Sequence, residues 1–340
     1  MNTHIKTRTC LPLISVFLLA LLLGSGPAPT AAQESTRGDF TLYGTGAVLP
    51  KGQPGEWDSG FVMSPKVLYH DGLFHMFYIG GRNLAETKAV GYAVSVDGLD
   101  WVKHRGNPVL ELDPVLAAYG VYAAVPWVDH DQWMLFISPV DRPGLGAGDT
   151  ILLATATAPT GPWRVDPDPV LHQGNDSEWS ARSLEPTSVV ATPDGLVIYL
   201  TGTNTGRYTI GHVVLSGDKL TPTPVLTLAP EAHWDNGFVT GVSVLHNSAG
   251  WEMFYFGEVN RSHPDAPRLG VGYAVSADGV VWTLFEDEPF LSLGAKEFPQ
   301  NPSVVVVDDT YYLYYTIVPF TIVPFRGFNA EIGVATRRAG

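Results

Sequence analysis

An all-β propeller of five blades, each a four-stranded antiparallel sheet, is the fold class this sequence predicts. Three observations predict it. The first is an internal echo: Trp57-Asp58-Ser59-Gly60-Phe61-Val62 returns as Trp234-Asp235-Asn236-Gly237-Phe238-Val239. An aromatic strand follows each, then Ser95-Val96-Asp97-Gly98-Leu99-Asp100-Trp101 and its counterpart Ser276-Ala277-Asp278-Gly279-Val280-Val281-Trp282, then a Pro-led apolar run. A unit that returns in this order at such a period is a blade. The second is composition: 45% hydrophobic residues, 11% aromatics, 36 Gly and 27 Pro describe a turn-rich β protein. The third is a count of strands that leaves the last repeat one short and supplies the missing one at the N-terminus.

In chain order, residues 1–32 read as a secretory signal. Lys6 and Arg8 form its basic start, Leu11 to Leu23 its apolar run and Thr30-Ala31-Ala32 a small-residue cleavage site. The run is too short for a comfortable membrane span. The single cysteine, Cys10, falls inside that segment, so the exported chain has neither a disulfide nor thiol chemistry. Residues 33–39 read as a flexible leader, and 40–340 as one propeller domain. Phe40 to Leu49 is a strand without a neighbour in sequence. Blade one spans about 57–112, blade two 119–171, blade three 179–228 and blade four 234–293. Blade five starts near Phe298 and offers three runs, 303–307, 311–317 and 330–336. The orphan strand completes it, closing the ring and removing exposed edges. The duplicated Thr-Ile-Val-Pro-Phe at 316–320 and 321–325 is expected to bulge out, because two prolines cannot both sit in a paired central strand.

Charge narrows the partners. Loss of the signal leaves 34 acidic against 18 basic residues, a net −16. A chain this acidic repels phosphate backbones, so nucleic acid is excluded as a partner. A secreted monomer with a neutral or cationic ligand, off the membrane once the signal is cleaved, is the expectation.

The run Ser64-Pro65-Lys66-Val67, followed by Asp71-Gly72-Leu73-Phe74-His75-Met76-Phe77-Tyr78, resembles the first blade of the five-bladed propeller glycosidases. Asn301-Pro302-Ser303-Val304, followed by Asp308-Asp309-Thr310 and its tyrosine-rich strand, resembles them too. These are the furanosidase-like glycoside hydrolase families 43 and 32, with the related family 130. The resemblance covers nearly the whole exported chain and implies a glycosidase acting on carbohydrate in a central funnel. It also implies three carboxylates on inner strands: an Asp of an Asp-Pro pair in blade one as base or nucleophile, an Asp in blade two, and a Glu in blade three as acid. Glycoside cleavage needs two carboxyl groups facing across the bond, one kept protonated by its surroundings.

Glu185, in Ser183-Leu184-Glu185-Pro186, matches the blade-three acid; the bland alternative is a solvated Glu before a strand-starting proline. The other positions depart from the pattern, reading Ser64-Pro65 and Val125-Pro126. Asp58 is the substitute candidate for base or nucleophile, with Asp235 its counterpart. Against this, an Asp before Ser or Asn and Gly commonly caps a turn, and a motif that repeats is usually structural. Around the same rim the expected substrate contacts are Asp235, Arg82, Arg182, His233, Trp127, Glu258 and Asn301, with Asn204 and Arg261 beside them. Trp57, Trp127, Trp179 and Trp234 could stack on sugars but are better suited to packing between blades. His70 and His75, beside an Asp-Gly hairpin, are expected at the surface. No cofactor and no His-based metal site are expected, although the fold would permit an axial calcium. The alternative function is a catalytically lapsed propeller that binds carbohydrate or protein through the same funnel. A six-bladed sialidase-like reading ranks last, because both hairpins are one residue short of its Ser-x-Asp-x-Gly-x-x-Trp spacing.

Overall fold

The computed structural model describes residues 40–44, 46–140, 146–174, 179–204, 207–215, 223–226, 234–248, 250–259, 268–285, 288–320 and 328–339. The predicted signal and leader lie outside the described residues. Every regular element described is a strand. Blade one is β2 (Phe61–His70), β3 (Leu73–Gly81), β4 (Ala89–Ser95) and β5 (Val102–Lys103). Blade two is β6 (Val121–Asp129), β7 (Gln132–Pro139) and β8 (Thr150–Ala156), with two short strands, β9 (Arg164–Val165) and β10 (Leu171–His172), both on β8. Blade three is β11 (Ser183–Thr192), β12 (Gly195–Asn204), β13 (Arg207–Leu215) and β14 (Thr223–Leu226). Blade four is β15 (Phe238–Asn247), β16 (Gly250–Glu258), β17 (Leu269–Ser276) and β18 (Thr283–Phe285). Blade five is β19 (Glu297–Val307), β20 (Thr310–Pro319) and β21 (Glu331–Arg338), completed from the N-terminus by β1 (Thr41–Leu42).

The ring closes as the strand count predicts. Thr41 pairs with Thr336 and Leu42 with Ala335, and Leu49 bridges Ile332. Phe40 anchors this closure edge-on against Phe254, Phe290 and Tyr311, at centroid distances of 6.2, 5.5 and 6.5 Å. The buried Arg337 guanidinium lies 5.1 Å from the Phe40 ring and 4.4 Å from that of Tyr311, so charge and aromatic faces join the two termini.

The Ser-x-Asp-Gly-x-x-Trp hairpins lock neighbouring blades. Asp97 Oδ1 accepts the N–H groups of Leu99 and Asp100, which hold its carboxyl below the usual carboxylate range. Gly98 then takes a positive φ of 75°, and its carbonyl accepts Trp101 Nε1 at 3.2 Å and Tyr314 Oη of blade five at 2.7 Å. A Cβ on Gly98 would stand 2.7 Å from that hydroxyl, so only glycine fits. Blade four repeats the device: Gly279 O accepts Trp282 Nε1 at 3.1 Å and Tyr199 Oη of blade three at 2.9 Å.

Two local expectations are corrected. The first Thr-Ile-Val-Pro-Phe copy does not bulge, since Thr316 to Pro319 finish β20 and pair with β19 down to Glu297. Pro319 is tolerated because it stands at the strand end, beyond the last β21 pairing at Ile317. The second copy lies outside the described residues. His75 is buried, not superficial, with a ring nitrogen 2.7 Å from Tyr92 Oη, and burial holds its proton affinity below the ordinary histidine value.

The closure gives a direct stability prediction. Phe40 is half-buried, so Phe40→Ala should destabilise the domain by about 2 kcal/mol, below the range for fully buried Phe. Urea unfolding measures it; an unchanged midpoint would contradict ring closure through this strand.

Candidate functional site

The five inner strands β2, β6, β11, β15 and β19 line the axis. Each slips register early: between Met63 and Lys66, Val121 and Ala123, Pro186 and Ser188, Thr240 and Val242, and Gln300 and Ser303. Ser64, Gly241 and Asn301 take positive φ at these points, 52°, 53° and 52°. Bulges of this kind re-aim side chains and commonly stand beside functional sites.

Glu185 precedes the bulge of β11, opposite Thr201 on β12. It is only 6% exposed, and burial raises its carboxyl to about 7, against a lowering pull from the Lys66 ammonium. Lys66, on β2, is 5% exposed, and burial lowers its amine to about 8 while Glu185 pulls it back up. Its Nζ donates to Val242 O of blade four and Pro302 O of blade five, both at 3.5 Å. Two phenols complete the group. Half-buried Tyr122 of β6 and Tyr208 of β13 are both raised above the ordinary phenol value, first by burial and then by the Glu185 charge. A buried carboxyl brought to about 7 can hold a proton and give it up. That is the property a general acid requires.

The five inner strands enclose an axial channel of about 370 Å³, with Lys66, Thr187, Ser188, Ser243 and Ser303 among its polar walls and Val67, Val125, Val189, Val244 and Val304 among its apolar ones.

Asp58 does not face the funnel, which corrects the expected orientation. It is 2% exposed, and its Oδ2 accepts Tyr78 Oη at 3.1 Å and Lys103 Nζ at 2.7 Å. Lys103 belongs to β5, the outermost strand, so the carboxylate is turned to the periphery of its blade. Asp235 repeats this arrangement, fully buried and accepting Tyr255 Oη at 2.6 Å. Trp57 stacks on Tyr78 at 5.9 Å and Trp234 on Tyr255 at 6.3 Å. Blade three supplies an internal control. There the Trp-Asp pair becomes Trp179-Ser180 and the tyrosine becomes Leu200, so Asp and Tyr leave together. Buried Ser180 Oγ is left without a hydrogen-bond partner among the described residues. The repeat uses Asp to satisfy a buried tyrosine hydroxyl.

The remaining candidates scatter. Arg82 is exposed and lines a separate cavity of about 430 Å³ between blades one and two, with Trp57, Glu86, Glu111 and Tyr119. Arg182 is exposed just before β11, its backbone N–H bonded to Thr203 O at 2.9 Å. Asn301 is buried at the β19 bulge, while Asn204 and Glu258 are half-buried at the ends of β12 and β16. Trp127 lines the axial channel and packs against the core of blades two and three. Trp179 leaves no room for a side chain at Gly202, its ring carbons lying 2.3 Å from a Cβ placed there, so it serves packing. His233 and Arg261 lie outside the described residues. Among the described residues no group of three or more His, Cys, Asp or Glu is placed to hold a metal ion. Lys66, Tyr122 and Tyr208 were not anticipated as site residues. A signal for Lys66 exists in the two Pro motifs: aligning Ser64-Pro65-Lys66-Val67 with Asn301-Pro302-Ser303-Val304 sets Lys against Ser.

Two outcomes follow. Asp58→Asn weakens a charge-assisted pair and should cost about 1–3 kcal/mol in urea unfolding; a neutral effect would remove its structural assignment. Glu185 ionises about neutrality when folded, above its unfolded value of 4.5. Its raised value means that the unfolded chain loses this proton first. Wild-type stability relative to Glu185→Gln should therefore fall as pH rises from 4.5 through 7. A flat difference would place Glu185 in water.

No protein-family model and no curated protein matches the chain. Solved structures do. One, from work on the GH130 family of mannoside phosphorylases and its hydrolases of β-1,2-mannosidic linkages in Candida mannan, superposes with a TM-score of 0.65 at 18% identity. It covers 88% of this chain and 94% of its own. A glycosyl hydrolase from Bacteroides ovatus gives 0.64 at 15% identity, over 89% and 96%. The β-1,2-mannobiose phosphorylase of Listeria innocua, solved with β-1,2-mannobiose, gives 0.64 at 12% identity, over 89% and 97%. The chain shares its propeller fold with glycoside hydrolases and glycoside phosphorylases.

Proposed function

We propose that this chain is an exported enzyme that cleaves a glycan held in the axial funnel, with Glu185 as general acid. The observation that carries the reading is the burial of Glu185 beside the β11 bulge, where its carboxyl titrates at about 7. An acid so poised delivers its proton to the departing glycosidic oxygen and is re-protonated at working pH. The fold shared with enzymes of β-1,2-mannosides supports a β-mannoside as the first substrate to try.

Asp58 is assigned to the blade and not to the reaction, because Tyr78 and Lys103 already occupy its carboxylate. Among the described residues, Lys66 is the one charge that shifts Glu185. The group attacking the anomeric carbon is then a small molecule admitted with the glycan, water or an inorganic anion.

The test is turnover of β-1,2-mannobiose and a panel of β-mannosides, with and without inorganic phosphate, by wild type and Glu185→Gln. The variant should lose roughly 10²–10⁴-fold in kcat at retained folding. In the wild type, kcat should fall as pH rises through about 7, the acid form being the active one. Unchanged turnover in Glu185→Gln would remove the assignment. The second reading, a glycan-binding propeller without turnover, is favoured by Ser64, which stands in blade one where a hydrolase of this shape would carry a carboxylate. Binding that saturates in wild type with no product from any substrate would decide for it.

A further inference from the structure

The inner strands are joined at one level of the axis by serine hydroxyls. Val67 N–H donates to Ser303 Oγ at 2.9 Å, Val304 N–H to Ser243 Oγ at 2.8 Å, and Val244 N–H to Ser188 Oγ at 3.0 Å. The first bond joins blades one and five, the second five and four, the third four and three. A hydroxyl that accepts in this way still has its own proton to donate. Among the described residues, none of the three finds a protein acceptor for that proton. All three serines are buried, and all three line the axial channel of about 370 Å³. Three O–H donors therefore stand around one level of the axis.

The same level carries one cation. Lys66 takes blade one's place in the ring, because it precedes Val67 as Ser303 precedes Val304. The next junction needs no hydroxyl there: the residue of blade two that would donate is Pro126, which has no N–H. Lys66 is 5% exposed and lines the same channel as the serines. Its Nζ stands 3.5 Å from the carbonyls of Val242 and Pro302, the residues immediately before Ser243 and Ser303. The ammonium thus reaches across to blades four and five, beside two of the three hydroxyls. Both carbonyls lie beyond the roughly 2.7–3.2 Å of a well-made N–H···O bond. Among the described residues no ion pair includes Lys66. A buried ammonium held so loosely is costly unless a counter-charge reaches it.

We propose that Lys66, Ser188, Ser243 and Ser303 form a binding site for one small monovalent anion, a halide, on the axis of the ring. The ammonium supplies the charge, and the hydroxyls supply three further donors whose oxygens are already fixed by backbone N–H groups. Charge selects the occupant. One buried cation balances one negative charge, whereas a divalent anion would leave its second charge buried without a partner. Size agrees, since a halide has no substituents to fit between Val67, Val244 and Val304. The channel continues to His70 and the exposed Tyr69 at the end of β2, which gives an ion a way in from the face opposite Glu185. Glu185 precedes the bulge of β11 and Ser188 follows it, so the anion lies further along the axis than the proposed acid. It is a structural ion that ties blades one, three, four and five together, and it is not a reactant. The assignment is independent of whether the chain cleaves a glycan.

The experiment is anomalous diffraction from crystals of the protein soaked in sodium bromide, in wild type and Lys66→Met. Wild type should show a bromide peak on the axis, in contact with Lys66 Nζ and flanked by the three serine side chains; Lys66→Met should show none. Bromide at surface positions only in wild type, or an axial peak that persists in folded Lys66→Met, overturns the proposal. Thermal unfolding in chloride-free gluconate buffer, titrated with chloride at constant ionic strength, reads the same site in solution. The wild-type midpoint should rise and saturate, as it does for a ligand bound by the folded state alone. Should Lys66→Met not fold, Ser243→Ala decides, because loss of one donor to a charged group should raise the half-saturating chloride concentration by roughly tenfold or more. A wild-type midpoint indifferent to chloride, or an unchanged half-saturation in Ser243→Ala, overturns the site. Sulfate at equal ionic strength should not reproduce the rise; an equal rise would assign it to general salt exclusion and overturn the site as well.

Discussion

The constraint on which the site depends is the transfer of a carboxyl and an ammonium out of water at the axis of a closed ring. Neither group is stable there by itself, since desolvation disfavours both charged forms. Together they settle near neutrality, Glu185 at about 7 and Lys66 at about 8. The surrounding strands must then be held rigidly enough to keep water from reclaiming either group. Serine hydroxyls of Ser188, Ser243 and Ser303 that accept the N–H groups of Val244, Val304 and Val67 on the adjoining inner strands, the hairpin carbonyls of Gly98 and Gly279 and the Phe40–Arg337 closure hold the strands together.

This division of labour separates two kinds of acidic residue that look alike in sequence. Asp58 and Asp97 of blade one return as Asp235 and Asp278 of blade four, and each bonds to its own blade: Asp58 and Asp235 to a buried tyrosine, Asp97 and Asp278 to hairpin N–H groups. Glu185 occurs once and answers mainly to burial and to one cation. A repeated acid serves the fold because blades one and four pose the same packing problem, a buried tyrosine hydroxyl that needs an acceptor. A single acid at the axis solves no such problem, which is why it is the one assigned to chemistry.

Most of the fold was legible in the sequence. The echo of Trp57-Asp58 in Trp234-Asp235, the paired hairpins and the missing fourth strand of blade five were enough to place the blades and the closure. Local order in blade two was harder, because its outer strand is split into β9 and β10 and no Asp-Gly hairpin marks it. The site was less legible. Glu185 was found through a motif, but the direction of the Asp58 side chain depends on Tyr78 and on Lys103, which is 45 residues away. Lys66 stood in plain view in the Ser-Pro-Lys-Val motif, yet its meaning depends on carbonyls 176 and 236 residues distant. Tyr122 and Tyr208 join the site by the same ring geometry, which no local pattern encodes.

The most direct measurement is a crystal structure of Glu185→Gln soaked with a non-reducing-end β-mannoside. The account predicts the sugar in the axial funnel, with its bridging oxygen within roughly 2.6–3.2 Å of the side-chain amide that the substitution puts in place of the acid. A sugar seated in the Arg82 and Trp57 cavity between blades one and two, with the axis empty, would contradict it.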